Sequence, residues 1–493
     1  MSNISIECTP TDVSQHQTAY PPALRRKLKK HSLNYLRFHD LSILSIIHNS
    51  LQEITAIAKA RTHKQETSAI GNTSKLSRLF RQRSRMDSHL PSTMIQPNGS
   101  SMQDISEIAQ AFSSYFSANI ITEYLPFTHP TYSTVPSFLS SVCFTPAAVT
   151  LAINKLKPSN FPGPDGLSTT FFKQGGETLV ALLCEIFQRS LLSKTVPMGW
   201  KSSLILPRHK TGVKSAITNY RPIHHTPVIS RIMERVINSQ LLCHISSGII
   251  NPAQHGFLHR KSCDTCQVAF LNHVTSFVDM KHSVIIIYLD MRKAFDQVPH
   301  KRLLIKLRNI GIKDPLHQWL QSFLSHRIQR VKVDNAVSGP TSITSGVIQG
   351  SVLGPALFLT YIIDIVKCFK TGSPFLFADD CKVVYSFQSH NIVMQLSAIQ
   401  DDLSRLESWC STWQMSFNPS KCHVLPFRCA IPQSALTLFQ QPLTISQNVR
   451  DLGLYYSPTL NFSEHIHKIT TSAIRRCFLI HRHFSNVEVK MKL

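Results

Sequence analysis

Apolar residues recur along this chain in two rhythms, and where the rhythm changes the predicted element changes with it. A period near 3.6 marks helices. It appears at Ile43, Leu44, Ile47 and Leu51, and again at Ile105, Ile108, Ala109, Phe112, Tyr115 and Phe116, predicting a helix over Ile105–Ile121. Thr145-Pro146 is a helix-start signal followed by Val149, Leu151, Ile153 and Leu156. Further helices are predicted at Leu179–Leu192, Val228–Ser247, Lys301–Ile310, Pro315–Leu324, Ser351–Val366, Asn391–Trp413 and Ile466–His483. Strands are predicted at Leu204–Pro207, Arg330–Val333, Val424–Phe427 and Leu436–Leu438. Val284–Leu289 is apolar with almost no alternation, so it reads as a strand buried on both faces, and it ends on Asp290. Phe161–Gly166 is a turn-rich loop, and Leu125–Ser141, rich in Pro, Ser and Thr, reads as a linker. Helices alternating with a few strands predict an α+β fold, a sheet with helices on one side.

The most informative stretch is Phe375–Tyr385, where Asp379 and Asp380 separate two strand-forming runs. This is a β-hairpin pattern with the acids at or near the turn. Turn chemistry alone would select Asp there. Adjacent anions on an otherwise apolar hairpin nevertheless repel and are costly to desolvate without a cation. The alternative to a polar turn is a divalent-metal site, and Asp290 supplies a third carboxylate if its strand lies beside the hairpin. Taken alone, Asp290 could equally be a strand-end or helix-cap residue. Three carboxylates suit Mg²⁺, a hard ion with oxygen ligands. Two such ions about 3.5–4 Å apart can serve the attacking and leaving oxygens of an in-line phosphoryl transfer.

Composition narrows the partner. The 493 residues allow roughly two to four domains or subdomains. Lys plus Arg number 52 against 28 Asp plus Glu, a formal charge of +24. That excess fits a polyanion, most commonly nucleic acid, or else a merely basic soluble protein. Residues 1–100 carry 14 Lys/Arg against 6 Asp/Glu, clustered at Arg25–Lys30 and Arg78–Arg85. They read as a solvated, partly helical arm, as a nucleic-acid-binding extension, or as both. The 12 cysteines are scattered; Cys263–Cys266 has no second pair at zinc spacing and Cys422-His423 stands alone, so reduced intracellular thiols are expected. The N-terminus lacks a signal-peptide pattern, and the longest apolar stretches, Val284–Leu289 and Val352–Ile363, are too short to span a bilayer.

Asp290–His300 resembles the first catalytic motif of reverse transcriptases from non-LTR (LINE-type, jockey-like) retrotransposons. Phe377–Asp380 resembles their second, and Ser345–Pro355 resembles the motif between, which positions template and nucleotide. Gly163–Gly166, Asn219–Ile223 and Gln254–Phe257 are similar to the fingers motifs, in family order. Trp413–Asn418 with Lys421-Cys422 matches a further one, and Asp451–Leu454 resembles the primer-grip segment. The similarity runs from about residue 100 to 475.

The resemblance implies a right-hand polymerase: fingers and palm, with an antiparallel palm sheet backed by helices. The expected organisation is a basic, partly disordered extension over 1–100 and a helix and linker over 101–144. Fingers with the start of the palm follow over 145–283, the palm over 284–457, and a truncated thumb over 458–493. Asp290, Asp379 and Asp380 would hold two Mg²⁺ ions, with Mn²⁺ as a substitute. Phe295 would be a steric gate against a 2′-hydroxyl, or an ordinary core ring. Lys210 and Arg221 would hold the triphosphate, Gln349 and Gly350 would meet the nascent base pair, and Lys421 would protonate the pyrophosphate or be a surface lysine. Trp409 and Trp413 read as core.

The implied partners are an RNA template, a DNA primer or target and deoxynucleoside triphosphates, in the nucleus or cytoplasm and without a membrane. Ile348, Ile363 and Leu258 stand where the family usually has Pro, Asn and Arg, the first loosening its loop. No endonuclease domain is expected in residues 1–100, which are too short and too basic. The competing expectations are a catalytically weak remnant that only binds nucleic acid, and a group II intron-type reverse transcriptase.

Overall fold

The computed structural model describes residues 42–69, 90–124, 137–159 and 163–483, with scattered positions between 30 and 79. The basic clusters at Arg25–Lys30 and Arg78–Arg85 fall largely outside the described residues, as does most of the linker at 125–136. The chain divides into two units, 1–88 with 466–493, and 89–465. In the first, the helical period at Ile43–Leu51 opens α1 (Ser42–Ala69).

In the second unit, α2 (Ile105–Ser117) starts where the Asp104 carboxylate accepts the Glu107 amide at 2.9 Å, a side-chain cap for an otherwise orphan N–H. It ends four residues short of the predicted Ile121. The Thr145 hydroxyl likewise caps α3 (Pro146–Asn154), and α4 (Gly176–Leu192) and α5 (Val228–Ser246) follow. The pattern of apolar residues did not predict α6 (Cys263–Asp279), whose start is set by a Ser262–Thr265 capping box. Then come α7 (His300–Asn309), α8 (Leu316–Leu324), α9 (Gly354–Tyr361) and α10 (Ile392–Trp413), while α11 (Ser463–His483) belongs for the most part to the first unit.

The helix expected over Ser351–Val366 is shorter, ending at Tyr361 before a single 3₁₀ turn at Ile365–Cys368. The intervening bend delivers the Asp364 carboxylate to buried Lys306, 2.6 Å away, and to the Trp409 indole N–H at 2.9 Å. Trp409 and Trp413 are core residues, as read from the sequence, and with Tyr361 they wall in the Lys306 ammonium.

Among the strands are β1 (Ser202–His209), β2 (Tyr220–His225), β3 (Ser283–Asp290), β4 (Arg327–Val333), β5 (Ala336–Val337) and β6 (Thr341–Ile343). After them come β7 (Ser373–Phe377), β8 (Asp380–Phe387), β9 (His423–Phe427), β10 (Thr444–Ile445), β11 (Val449–Asp451) and β12 (Leu454–Tyr456). A central sheet has the order β10-β9-β3-β8-β7. A second sheet runs β2-β1-β4-β5, with β6 also on β4, and its β1–β4 pair is parallel. The β11–β12 hairpin stands apart.

Two expectations change here. The central sheet is mixed rather than wholly antiparallel, because β10 joins β9 in parallel at the edge. Apolar cover also lies on both faces rather than one. Ile285, Ile287 and Leu289 belong to the large core with residues of α5 and α7–α10, while Val284, Ile286 and Tyr288 pack against Phe270 and Val274 of α6. Helix α6 is thus the reason β3 lacks alternation, every position from Ser283 to Leu289 being buried.

Candidate active site

The sheet register brings the acids together. Asp380 pairs with Asp290 across β8 and β3, and with Phe377 across β8 and β7. The hairpin therefore turns on Ala378 and Asp379 alone, and Ala378 takes φ +57°, the sign a two-residue turn needs at its first position. The Asp290 backbone is fixed as well. Its N–H donates to Cys422 Sγ at 3.4 Å, and its carbonyl accepts the Asn418 amide at 2.8 Å. The segment containing Trp413–Asn418 thus braces the end of β3, with Met291 bridging to Phe417.

Asp290 and Asp380 face an open cleft of about 290 Å³, also lined by Phe377, Lys421, Arg450 and Asp451. Asp380 reaches solvent at its mouth, yet crowding by the cleft walls, and then repulsion from Asp379, Asp451 and Asp290, pushes its carboxyl up to about 6. Asp379 is raised too, first by burial and then by Asp290. Cations answer this charge. Lys421 Nζ lies 4.0 Å from Asp290 Oδ1, both side chains being half-exposed. Lys210 and Arg221 hold the Asp379 carboxyl down against those effects. Lys210 itself is lowered, by partial burial and then by Arg221 and Lys421, while Asp290 and Asp379 draw it back up. Lys210 is therefore an electrostatic neighbour of four other expected residues, Arg221, Lys421, Asp290 and Asp379.

The three carboxylates meet in backbone placement, but their side chains do not converge. Among the described residues, no three His, Cys, Asp or Glu side chains stand together as a ready cage for one metal ion. The donor set is still the kind a hard divalent cation takes, all carboxylate oxygens, and the crowding that raises Asp379 and Asp380 is what a cation would relieve.

Phe295 stacks on Phe358 of α9, centroids 4.5 Å apart, and meets Phe257 edge-on at 6.2 Å. It is half-buried and packed against the main core, as the core reading has it. The Gln349 side chain donates to Asp296 Oδ1 at 2.7 Å, and its carbonyl accepts the His224 amide at 2.9 Å. Gly350 takes φ +110° and presses on β2, where an added Cβ would sit 2.7 Å from the His224 carbonyl oxygen. Ile348, in this loop, is buried in the core. Beyond it, the buried Glu234 carboxylate accepts the amides of Val352 and Leu353 at 2.8 and 3.2 Å.

The sequence reading missed a network two residues beyond Asp380. Lys382 is buried on the α6 face, ion-paired with the Asp451 carboxylate and donating to Gln267 Oε1 at 3.0 Å. Gln267 donates to the Asp451 carbonyl at 2.8 Å and accepts the Tyr456 hydroxyl at 2.7 Å. The primer-grip-like hairpin β11–β12 is thereby bolted to the strand that carries Asp380. A lysine inside an apolar, doubly buried strand was the available signal, since a buried ammonium demands an anion.

A family model described as reverse transcriptase (RNA-dependent DNA polymerase) matches residues 208–454, half of the chain. The chain is 29% identical over 331 residues to an RNA-directed DNA polymerase from the mobile element jockey of Drosophila melanogaster, covering 64% of this chain and 35% of that protein. It is 29% identical over 345 residues to a probable RNA-directed DNA polymerase from transposon BS of the same fly, covering 66% and 37%. A Pol polyprotein from the type-1 retrotransposable element R1 of Bradysia coprophila is 22% identical over 325 residues, covering 64% and 31%. The chain spans about a third of the length of these relatives.

Proposed function

Because the chain belongs to the reverse transcriptase family, a fold of polymerase palm and fingers, we propose that it extends a DNA 3′-hydroxyl on an RNA template, as part of a non-LTR retrotransposon. The observation that carries the proposal is the Asp380–Asp290 register, which sets the adjacent acids of a tight turn beside the acid ending a buried strand. In this reading the central sheet is the palm, the second sheet with α3–α5 forms the fingers, and α11 begins the thumb.

Asp290, Asp379 and Asp380 would hold Mg²⁺, or Mn²⁺ in its place. The ions, when bound, supply activation of the 3′-hydroxyl and stabilisation of the departing pyrophosphate. The chain's own residues do the rest. Arg221 and Lys210 hold the triphosphate by charge-assisted hydrogen bonds. Lys421, 4.0 Å from Asp290, delivers a proton to the leaving group in this reading. The Phe295 ring closes the space under the sugar, and Gly350 lets the nascent base pair approach Gln349. The excess of basic residues serves the phosphates of template and primer, which makes binding weaken with salt.

Primer extension on an RNA template with Mg²⁺ tests this, comparing wild type with Asp379→Ala/Asp380→Ala. Extension by wild type alone is expected. Salt-sensitive RNA binding without extension by the wild type would instead describe a protein that only binds nucleic acid.

A further inference from the structure

Gln254 was grouped by sequence with the fingers motifs, yet the structure sets it against the acid turn. Its side chain is buried, 4% exposed. Oε1 accepts two backbone amides, that of Ala378 at 2.9 Å and that of Gly256 at 2.7 Å. Nε2 donates to the Ala378 carbonyl at 3.4 Å. Two amide donors converging on one atom fix which end of the carboxamide is oxygen. One side chain thus grips both polar groups of the residue immediately before Asp379.

The surroundings hold Gln254 in place. Residues 253–255 run along the exposed edge of β7: Leu376 donates to the Ala253 carbonyl at 3.0 Å, and His255 donates to the Leu376 carbonyl at 2.8 Å. The His255 ring is in turn 2.9 Å from the Thr265 hydroxyl, in the capping box of α6. The close approach needs Gly256, since an added Cβ would lie 2.3 Å from the Ala378 amide nitrogen. Ala378 also holds a positive φ, a conformation an alanine leaves readily unless its surroundings enforce it.

We propose that Gln254 is a positioning residue for the reaction, clamping the Ala378 peptide so that the Asp379 carboxylate keeps a fixed direction beside Asp290 and Asp380. It touches no substrate; it acts through the turn. The inference rests on the polymerase reading for its effect on rate, while the clamp itself can be measured without any activity. A misdirected ligand group at a reacting centre is expected to slow chemistry by about 10–100-fold with binding left alone.

The test uses Gln254→Met, which keeps the shape and loses every hydrogen bond, and Gln254→Glu, which keeps the acceptor for both amides. Two readouts are taken on the full chain. The first is hydrogen exchange of the Ala378 amide, followed in peptides spanning the turn. The second is single-nucleotide incorporation on an RNA–DNA primer template. Gln254→Met should speed exchange at Ala378 by about tenfold or more and lower kcat by about 10–100-fold, with duplex affinity within about twofold. Gln254→Glu should keep the Ala378 amide protected. Unchanged exchange at Ala378 in Gln254→Met would overturn the clamp. Equal loss of kcat and of melting temperature in both variants would overturn the positioning role, because it would mark Gln254 as a mere packing residue. Were the wild type itself to incorporate nothing, the exchange result would still decide the clamp, and only the polymerase reading would fall.

Discussion

Strand β8 carries charge in two places, two residues apart, and treats it in opposite ways. At its first residue, Asp380 stands at the cleft with Asp290 across the ladder and Asp379 before it, and their charges raise the carboxyls of Asp379 and Asp380. At its third, Lys382 lies on the same face but is buried, paired with Asp451 and backed by Gln267, Tyr456 and the Phe270 face. The second cluster is satisfied internally and holds a hairpin to the sheet. The first is answered only in part, by Lys421, Lys210 and Arg221 and, from the same face, by Lys382. Like charge kept close at a concave rim works against folding, so the fold tolerates it where something outside the chain is to be bound.

Each region can be broken separately, and the largest effect belongs to the rim. Asp379→Asn is expected to lower single-nucleotide incorporation by about 100–1,000-fold or more, measured in rapid quench. Its melting temperature should hold or rise, because one repelling charge is gone. Asp451→Ala should do the reverse. It strands the Lys382 ammonium in a buried site and should destabilise by about 3–5 kcal/mol in urea unfolding. Lys382→Met/Asp451→Leu, which removes both charges, should regain most of that loss.

A smaller effect is expected from the cations. Arg221→Ala should raise the KM for the deoxynucleoside triphosphate about tenfold and change kcat less. The smallest is a pH effect on stability in divalent-free buffer. The Asp380 carboxyl is raised in the fold to about 6, above its unfolded value of about 3.9. Its contribution is therefore fully present below about pH 4 and lost as pH rises through about 6. The urea midpoint of Asp380→Asn should gain on that of wild type across this window, and a constant difference would contradict the repulsion described for the rim.

The contrast also explains what was legible in the sequence. Asp290 ending a run without alternation, and Asp379-Asp380 between strand-forming runs, gave the hairpin, its neighbouring strand and the acids, because strand periodicity and turn chemistry are local. The buried network was not legible. Lys382, Gln267, Asp451 and Tyr456 are far apart in the chain, and only the packing of α6 and the β11–β12 hairpin against one sheet face unites them. Helix α6 was missed for a related reason: its apolar face is interrupted by Gln267 and His273, whose partners lie elsewhere. Gln254 resembled a fingers residue in its motif, and nothing local said that its amide would reach a turn more than a hundred positions later.

The most direct test sets the two regions against each other in one experiment: the rate of single-nucleotide incorporation on an RNA template, with the melting temperature, for Asp290→Asn and for Lys382→Met/Asp451→Leu. The rim should govern chemistry, so Asp290→Asn should lose at least about 100-fold in rate with its melting temperature within about 2 °C of wild type. The double variant should stay within about tenfold of the wild-type rate. Wild-type incorporation by Asp290→Asn would contradict the assignment of the acids as the reaction centre.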